Sequence, residues 1–142
     1  MADLLRRYPI KSRDFVKAGE GSIQIQSLLK KIGFDLSLIR RISICAYEAE
    51  MNAVMHGGDG ELRLTVDPQK IILEVSDDGS GIQDIELALQ EGYSTATPEH
   101  REMGFGAGMG LPNIKKNADS LEIRSGNGQG THLTICFEVQ TE

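Results

Sequence analysis

Tryptophan is absent from the 142-residue sequence, and cysteines, aromatic residues and long apolar runs are scarce. The two cysteines, Cys45 and Cys136, lie within apolar patterns that lack metal-site spacing, so we interpret both as core thiols in a reducing compartment. No apolar run approaches the ~20 residues that a membrane helix needs, and the N-terminal residues lack a signal-peptide pattern. These absences predict a cytoplasmic protein without a membrane partner.

An excess of positive charge is also missing. The sequence has 15 lysine and arginine residues against 21 aspartate and glutamate residues, which gives a net charge of −6. Nucleic-acid binding depends on clustered lysine and arginine side chains, so we expect no nucleic-acid partner. A chain of this length suffices for about one domain, and we therefore expect residues 1–142 to form a single domain.

The spacing of apolar residues predicts the secondary structure. Two helices are expected near the N-terminus, at about residues 23–32 and 38–56, with Gly33 ending the first and Asp35 or Ser37 capping the second. Strands are predicted at 5–11, 61–67, 71–75, 121–123 and 131–139, a turn at Asp67-Pro68-Gln69, and helices at 84–90 and 111–118. This order predicts an α+β two-layer sandwich, in which helices cover one face of a mixed, mostly antiparallel sheet.

The stretch GFGAGMGLPNIKK places glycine at every second position from Gly104 to Gly110 and then continues as a predicted helix. A glycine-rich segment that opens onto a helix N-terminus is typical of phosphate binding. A P-loop is excluded because no Gly-Lys pair occurs, and the dinucleotide and protein-kinase loops are excluded because the register does not fit G-x-G-x-x-G. Residues 91–108 show no periodicity, which predicts a functional loop such as a lid.

Two further segments carry candidate site residues. In AYEAEMNAVMHG, Glu48 and Asn52 lie four residues apart on one helix face and suit a Mg²⁺–nucleotide complex, although two polar residues at the edge of a helix are an equal alternative. In DDGSG, Asp77 follows an apolar strand, and Gly79 and Gly81 would let a flat base approach the backbone. An ordinary Asp-Gly turn is the alternative there.

Together, the motifs E-x-x-x-N, D-x-G-x-G and G-x-G-x-G-x-G-L resemble those of the GHKL superfamily, whose ATP-binding (Bergerat) fold is shared by gyrase, Hsp90, histidine kinases and MutL. The resemblance covers about residues 40–137. Within the superfamily, the pattern EAxxNAxxHG around Glu48 and a late G-x-G-T ending at Thr131 are most similar to small bacterial serine kinases that act as anti-sigma factors or partner-switching kinases. The stretch from EGYSTATPEH to GFGAGMGLPNIKK is most similar to the stressosome-type switch kinases.

The resemblance implies a role for each matching residue. Glu48 would be the general base, Asn52 the Mg²⁺ ligand and Asp77 the reader of adenine. Further nucleotide-binding positions follow from the same resemblance: Gly79, Gly81 and Thr131 at the adenine pocket, Gly104, Gly106, Gly108 and Gly110 in a lid over the phosphates, and Leu111 and Lys115 in the helix behind it. Glu50 is a second carboxylate near the base, and its helical position predicts that it points away.

The expected function, by the same resemblance, is that of an ATP- and Mg²⁺-dependent serine/threonine protein kinase. It would act as an anti-sigma factor or partner-switch regulator and would phosphorylate a STAS-domain antagonist protein. A sigma factor or another regulator is expected as a second partner, and a homodimer as the assembly. The alternative is a nucleotide-gated binding module that sequesters a regulator with little or no phosphoryl transfer.

Overall fold

A computed structural model of the chain describes residues 4–56, 58–79, 89, 110–125 and 130–139. Three helices and five strands lie within these ranges. In chain order they are β1 (Leu4–Ile10), α1 (Glu20–Ile32), α2 (Leu36–His56), β2 (Gly60–Val66), β3 (Lys70–Asp77), α3 (Gly110–Asn117), β4 (Ser120–Ser125) and β5 (Thr131–Glu138). The architecture is the predicted α+β fold.

The five strands form one sheet in the order β1-β2-β3-β5-β4, and all four pairings are antiparallel. The expectation of a mixed sheet is therefore wrong for the described strands. The reason is topological: β3 and β4 run in the same direction, but β5 lies between them and pairs with both. A mixed sheet requires two adjacent parallel strands, and here β5 separates the two parallel strands β3 and β4.

One face of the sheet is buried under the helices. Every second residue of the three central strands belongs to the core: Leu62, Leu64 and Val66 in β2, Ile71, Leu73 and Val75 in β3, and Leu133, Ile135 and Phe137 in β5. Ile42, Cys45 and Ala49 of α2 join the same core. Each buried aliphatic or aromatic side chain contributes about 1.5–3 kcal/mol relative to exposure, so this alternation holds the two layers together.

The two cysteines differ in their surroundings. Cys45 is fully buried under α3, and burial raises the pKa of its thiol to about 12, which makes it an inert core residue as expected. Cys136 lies between the core residues Ile135 and Phe137, so the alternation of side chains along β5 places it on the other face of the sheet, where it is only partly buried. The prediction of a second core thiol is therefore wrong.

Local hydrogen bonds fix the ends of the helices and the β2–β3 turn. Gly33 adopts the left-handed conformation (φ 99°) and donates its N–H to Leu29 O at 3.1 Å, which ends α1 as predicted. The carboxylate of Asp35 accepts the N–H of Ser37 at 3.0 Å, so Asp35 is the cap of α2. Asp67 accepts the N–H groups of Gln69 and Lys70, and these bonds lower the pKa of its carboxyl.

Several sequence predictions fall outside the described residues. They are the helix at 84–90, of which only residue 89 is described, the lid at 91–108 and the tip of the β4–β5 hairpin at 126–129. The single domain over residues 1–142 also stays a prediction. Among the helices that the structure describes, none combines the length and the apolar character that crossing a bilayer requires.

Candidate functional site

The predicted catalytic pair lies on the C-terminal half of α2. Glu48 and Asn52 are one helical turn apart, and both are half-buried. The Asn52 side chain makes no hydrogen bond to another residue in the described ranges. Shortly after α2 ends, Gly60 pairs with Asp77 across β2 and β3. Only a few residues of chain therefore separate the C-terminal end of α2 from the strand pair that ends at Asp77.

Glu48 faces the N-terminus of α3. Gly110 begins this helix, and a Cβ atom added there would lie 3.3 Å from Glu48 Oε2. Burial raises the pKa of the Glu48 carboxyl, and within the described part of the chain this carboxylate accepts no hydrogen bond. A carboxylate with a raised pKa and unused lone pairs is well suited to accept a proton. The same helix N-terminus carries the partial positive charge that favours an anion such as phosphate.

Glu50, only two residues away, has a different environment. Its side chain is 3% exposed and accepts three hydrogen bonds at the N-terminus of α1. These bonds come from Gly21 N at 3.3 Å, Ser22 N at 3.0 Å and Ser22 Oγ at 2.7 Å. Two residues correspond to a rotation of about 200° around a helix, which explains why Glu50 points away from Glu48, as predicted. Its capping of α1 was not predicted from the sequence.

Asp77 lies at the end of β3 and is half-buried, with Thr131 of β5 directly opposite. Asp77 Oδ1 accepts the N–H of Gly79 at 2.9 Å, and the other carboxylate oxygen, Oδ2, accepts no hydrogen bond from the residues that the structure describes. Burial raises the pKa of the Asp77 carboxyl, the Gly79 hydrogen bond opposes this shift, and the charge of Asp78 adds to it. The free oxygen can accept a hydrogen bond from an amine of a ligand.

Three glycines that the sequence analysis did not assign to the site enclose the backbone around Asp77. A Cβ atom at Gly60 would collide with Ser76 O, and one at Gly130 would collide with Asp77 O. A Cβ atom at Gly58 would collide with the Asp78 carboxylate, and Gly130 also has a φ of 77° that favours glycine. The stretch GGDG and the late glycine run were the available signals, but their contact with Asp77 depends on strand pairing.

The remaining predicted positions are only partly brought together. Thr131 is buried, and its hydroxyl lies 3.1 Å from Ser125 Oγ. The side chain of Leu111 belongs to the core, which leaves only its backbone for a ligand. Lys115 is exposed in the last turn of α3, five residues and about 7.5 Å along the axis from Gly110. No described contact places Lys115 near Glu48 or Asp77.

Four of the predicted nucleotide-binding glycines lie outside the described residues: Gly81, Gly104, Gly106 and Gly108. Their roles stay predictions. The described site therefore consists of two parts, Glu48 with Asn52 and Gly110 at α2 and α3, and Asp77 with Gly79 and Thr131 at the strand ends. Gly58, Gly60 and Gly130 surround the second part.

Comparison with known proteins gives consistent matches. Residues 33–141 match the model of the histidine kinase-, DNA gyrase B- and HSP90-like ATPase family. A protein of Thermoanaerobacter sp. (strain X514) named anti-sigma F factor is 35% identical over 98 residues, which are 66% of this chain and 65% of that protein. The chain thus spans just under two thirds of that relative's length.

Two further matches extend this result. The serine/threonine-protein kinase RsbT of Bacillus subtilis (strain 168) is 29% identical over 112 residues, which are 76% of this chain and 78% of that protein. The crystal structure of the RsbU and RsbW domains of a Mycobacterium tuberculosis protein superposes on this chain with a TM-score of 0.62 at 18% identity. The superposition covers 96% of this chain and 33% of the solved chain. At that identity the structural likeness shows the fold alone.

Proposed function

The chain belongs to the histidine kinase-, DNA gyrase B- and HSP90-like ATPase family, and from this premise we propose that it is a serine/threonine protein kinase that regulates a partner protein. The family implies that the domain binds ATP. The observation that carries the kinase proposal is the state of Glu48. It is a half-buried carboxylate with a raised pKa, and it lies 3.3 Å from the Cβ position of the first residue of α3.

Glu48 would act as the general base. Phosphoryl transfer requires positioning, charge stabilisation and a group that orients or deprotonates the attacking hydroxyl. A module that only binds ATP has no need of an unsatisfied carboxylate beside the phosphate position. In the proposed reaction, Glu48 accepts the proton of a serine or threonine hydroxyl on the partner protein, the hydroxyl oxygen takes the terminal phosphoryl group of ATP, and ADP leaves.

The described residues fit a bound Mg²⁺–ATP complex. Asp77 would hold the adenine amine with its free oxygen, and the N-terminus of α3 at Gly110 would face the phosphates. Asn52 would supply one oxygen to Mg²⁺, which usually takes one or two protein ligands and keeps phosphate and water oxygens for the rest. When bound, the complex supplies the transferable phosphoryl group and neutralises its charge. Among the described residues no cluster of three or more His, Cys, Asp or Glu side chains suits a metal ion without phosphate.

The partner we propose is a STAS-domain antagonist protein, with a sigma factor or another regulator as the second partner of the switch. The names of two relatives, a serine/threonine-protein kinase and an anti-sigma F factor, support a kinase that regulates a sigma factor. The STAS-domain partner follows from the resemblance of the sequence motifs alone. A second candidate function is nucleotide-gated sequestration of a regulator without transfer. The anti-sigma name of the Thermoanaerobacter relative favours that candidate.

Incubation with γ-³²P-labelled ATP, Mg²⁺ and each STAS-domain protein from the same genome tests the proposal. Phosphate should appear on a serine or threonine of one such protein, and the Glu48→Gln variant, used at the same concentration, should not transfer it at a comparable rate. If ATP binds but no STAS-domain protein is labelled, the kinase proposal is wrong. Formation of an ATP-dependent complex without labelling would favour sequestration instead.

A further inference from the structure

An apolar groove of about 540 Å³ runs between α1 and α2 on the surface of the protein. Three large apolar side chains in its walls are strongly exposed: Ile23 at 63%, Leu36 at 72% and Tyr47 at 43%. Most apolar side chains of this size are buried in a folded domain. A row of exposed ones in a concave surface therefore indicates an interaction site rather than packing within the chain.

One end of the groove is basic. Lys30 of α1 and Arg40 of α2 line it where α1 ends and α2 begins. Neither forms a salt bridge with a carboxylate of the described residues, although the whole chain carries a net charge of −6. The neighbouring Arg41 behaves differently, because it binds Asp119 at 3.0 Å and is thus part of the fold. Two cations without a carboxylate partner among the described residues favour an occupant that brings carboxylates to this end.

The other end of the groove reaches Glu48. From Arg40 to Glu48 the helix advances eight residues, which correspond to about 12 Å along its axis. Glu48 therefore borders the groove on one side and the N-terminus of α3 on the other. A hydroxyl delivered along the groove would therefore reach a carboxylate that also borders the N-terminus of α3.

We propose that this groove docks the segment of the protein partner that carries the phosphorylated hydroxyl. The occupant is an amphipathic segment with an apolar face toward Ile23, Leu36 and Tyr47 and with carboxylates at Lys30 and Arg40. Its serine or threonine lies about 12 Å from those carboxylates, or roughly eight residues away if the segment is helical. This inference rests on the proposed function, because it assigns the hydroxyl to the end of the groove at Glu48.

A display library of 16-residue peptides, each with one serine and otherwise random positions, tests the groove without ATP. Peptides that bind the full-length protein should be apolar along one face and should carry acidic residues about eight positions from the serine. The double variant K30E/R40E should bind the best peptide ~10-fold or more weakly and should regain affinity for a peptide in which lysine replaces those acidic residues. The matched control for the K30E half of this variant is K31E, which makes the same Lys→Glu change in the same turn of α1 outside the groove lining.

Amide shifts in ¹⁵N NMR spectra locate the bound peptide. Changes centred on Ile23, Ile44 and Tyr47 are expected, and K31E should preserve them. Absence of any selected peptide, equal weakening by K31E and K30E/R40E, or shifts confined to another surface would each overturn the docking site. Concentration-dependent shifts of the same residues without peptide would also overturn it, because they would assign the groove to a second copy of this chain.

The readouts separate this inference from the proposed function. If peptides bind the groove but no STAS-domain protein accepts phosphate from ATP, the kinase proposal fails and the docking site stands. If phosphate is transferred but K30E/R40E leaves the KM for the protein substrate unchanged, the docking site fails alone.

Discussion

Two helix N-termini in this protein each face a glutamate of α2, and the two glutamates have opposite surroundings. At α1, Glu50 is 3% exposed and receives three hydrogen bonds from Gly21 and Ser22. At α3, Glu48 is half-buried beside Gly110, its pKa is raised by burial, and it receives no hydrogen bond from the described residues. Residue type and helix are the same in both cases, whereas the burial of the side chain and the use of its lone pairs differ.

The difference separates a structural carboxylate from a functional one. A buried carboxylate that caps a helix stabilises the fold because its lone pairs are used and the unpaired amides are satisfied. A partly buried carboxylate without partners destabilises the fold in its ionised form. Such a residue is expected where a reaction or a ligand uses it. The comparison supports the proposed role of Glu48 as the general base and makes Glu50 the residue that attaches α1 to α2.

The largest expected effect is on phosphoryl transfer. Glu48→Gln should slow transfer to the protein substrate by ~10²–10⁴-fold, because the variant lacks the general base. Binding of ATP should stay almost normal, since the base acts on the attacking hydroxyl. Single-turnover rates with the labelled substrate measure the effect, and Glu50→Gln, assayed below its unfolding temperature, is the matched control. A wild-type rate for Glu48→Gln would remove Glu48 from the reaction.

The next effect concerns stability. Glu50→Gln replaces one acceptor oxygen by an amide that faces the donors of α1, and the loss of charge-assisted hydrogen bonds should lower the free energy of unfolding by about 1.5–3 kcal/mol. Urea denaturation followed by circular dichroism measures this change. Glu48→Gln, the same substitution two residues earlier, should not destabilise the protein. If the two variants lose equal stability, the distinction between the two carboxylates is wrong.

A smaller effect is expected at the other part of the site. Asp77→Asn keeps the shape of the side chain but removes the charge that strengthens a hydrogen bond to the adenine amine. Affinity for ATP should fall at least about tenfold. Isothermal titration calorimetry at fixed Mg²⁺ provides the measurement, with Asp78→Asn as the adjacent control. Unchanged affinity in a folded Asp77→Asn variant would exclude Asp77 from the nucleotide site.

The smallest effect is on the pH dependence of stability. Since burial raises the pKa of Glu48, the folded state holds more protons than the unfolded state between the ordinary and the raised pKa. The free energy of unfolding should therefore fall as the pH rises through this window. The Glu48→Gln variant should not lose stability in this window, and its free energy of unfolding should slightly exceed that of the wild type near neutral pH. Thermal melts of both proteins from about pH 4.5 to about pH 7.5 provide the test. If Glu48→Gln were more stable than the wild type only at acidic pH, the raised pKa of Glu48 would be contradicted.

The sequence predicted those parts of the fold that depend on local patterns. The apolar period of α2, the left-handed Gly33 and the Asp67 turn are confirmed because each is decided within a few residues. The order of β3, β5 and β4 is a tertiary property. The sequence pattern could therefore not reveal that the described strands pair only in the antiparallel direction. Cys136 was placed on the wrong face because an apolar run does not reveal which of its alternate residues faces the core.

The candidate site shows the same division. The motifs predicted Glu48, Asn52 and Asp77, and the structure gives each of them an environment that suits its proposed role. The capping of α1 by Glu50 and the approach of Gly58, Gly60 and Gly130 to the backbone of β3 involve residues far apart in the chain. Contacts of this kind leave no regular spacing in a sequence.

The most direct test of the account is to map Mg²⁺–ATP on the ¹⁵N-labelled protein by NMR. The account predicts that the nucleotide lies between the end of β3 and the N-terminus of α3, on the Glu48 side of α2. The amides of Gly79, Gly110 and Thr131 should shift on titration, while those of Gly21 and Ser22, which Glu50 already binds, should stay in place. Shifts centred on Gly21 and Ser22, with Gly110 and Thr131 unmoved, would contradict it.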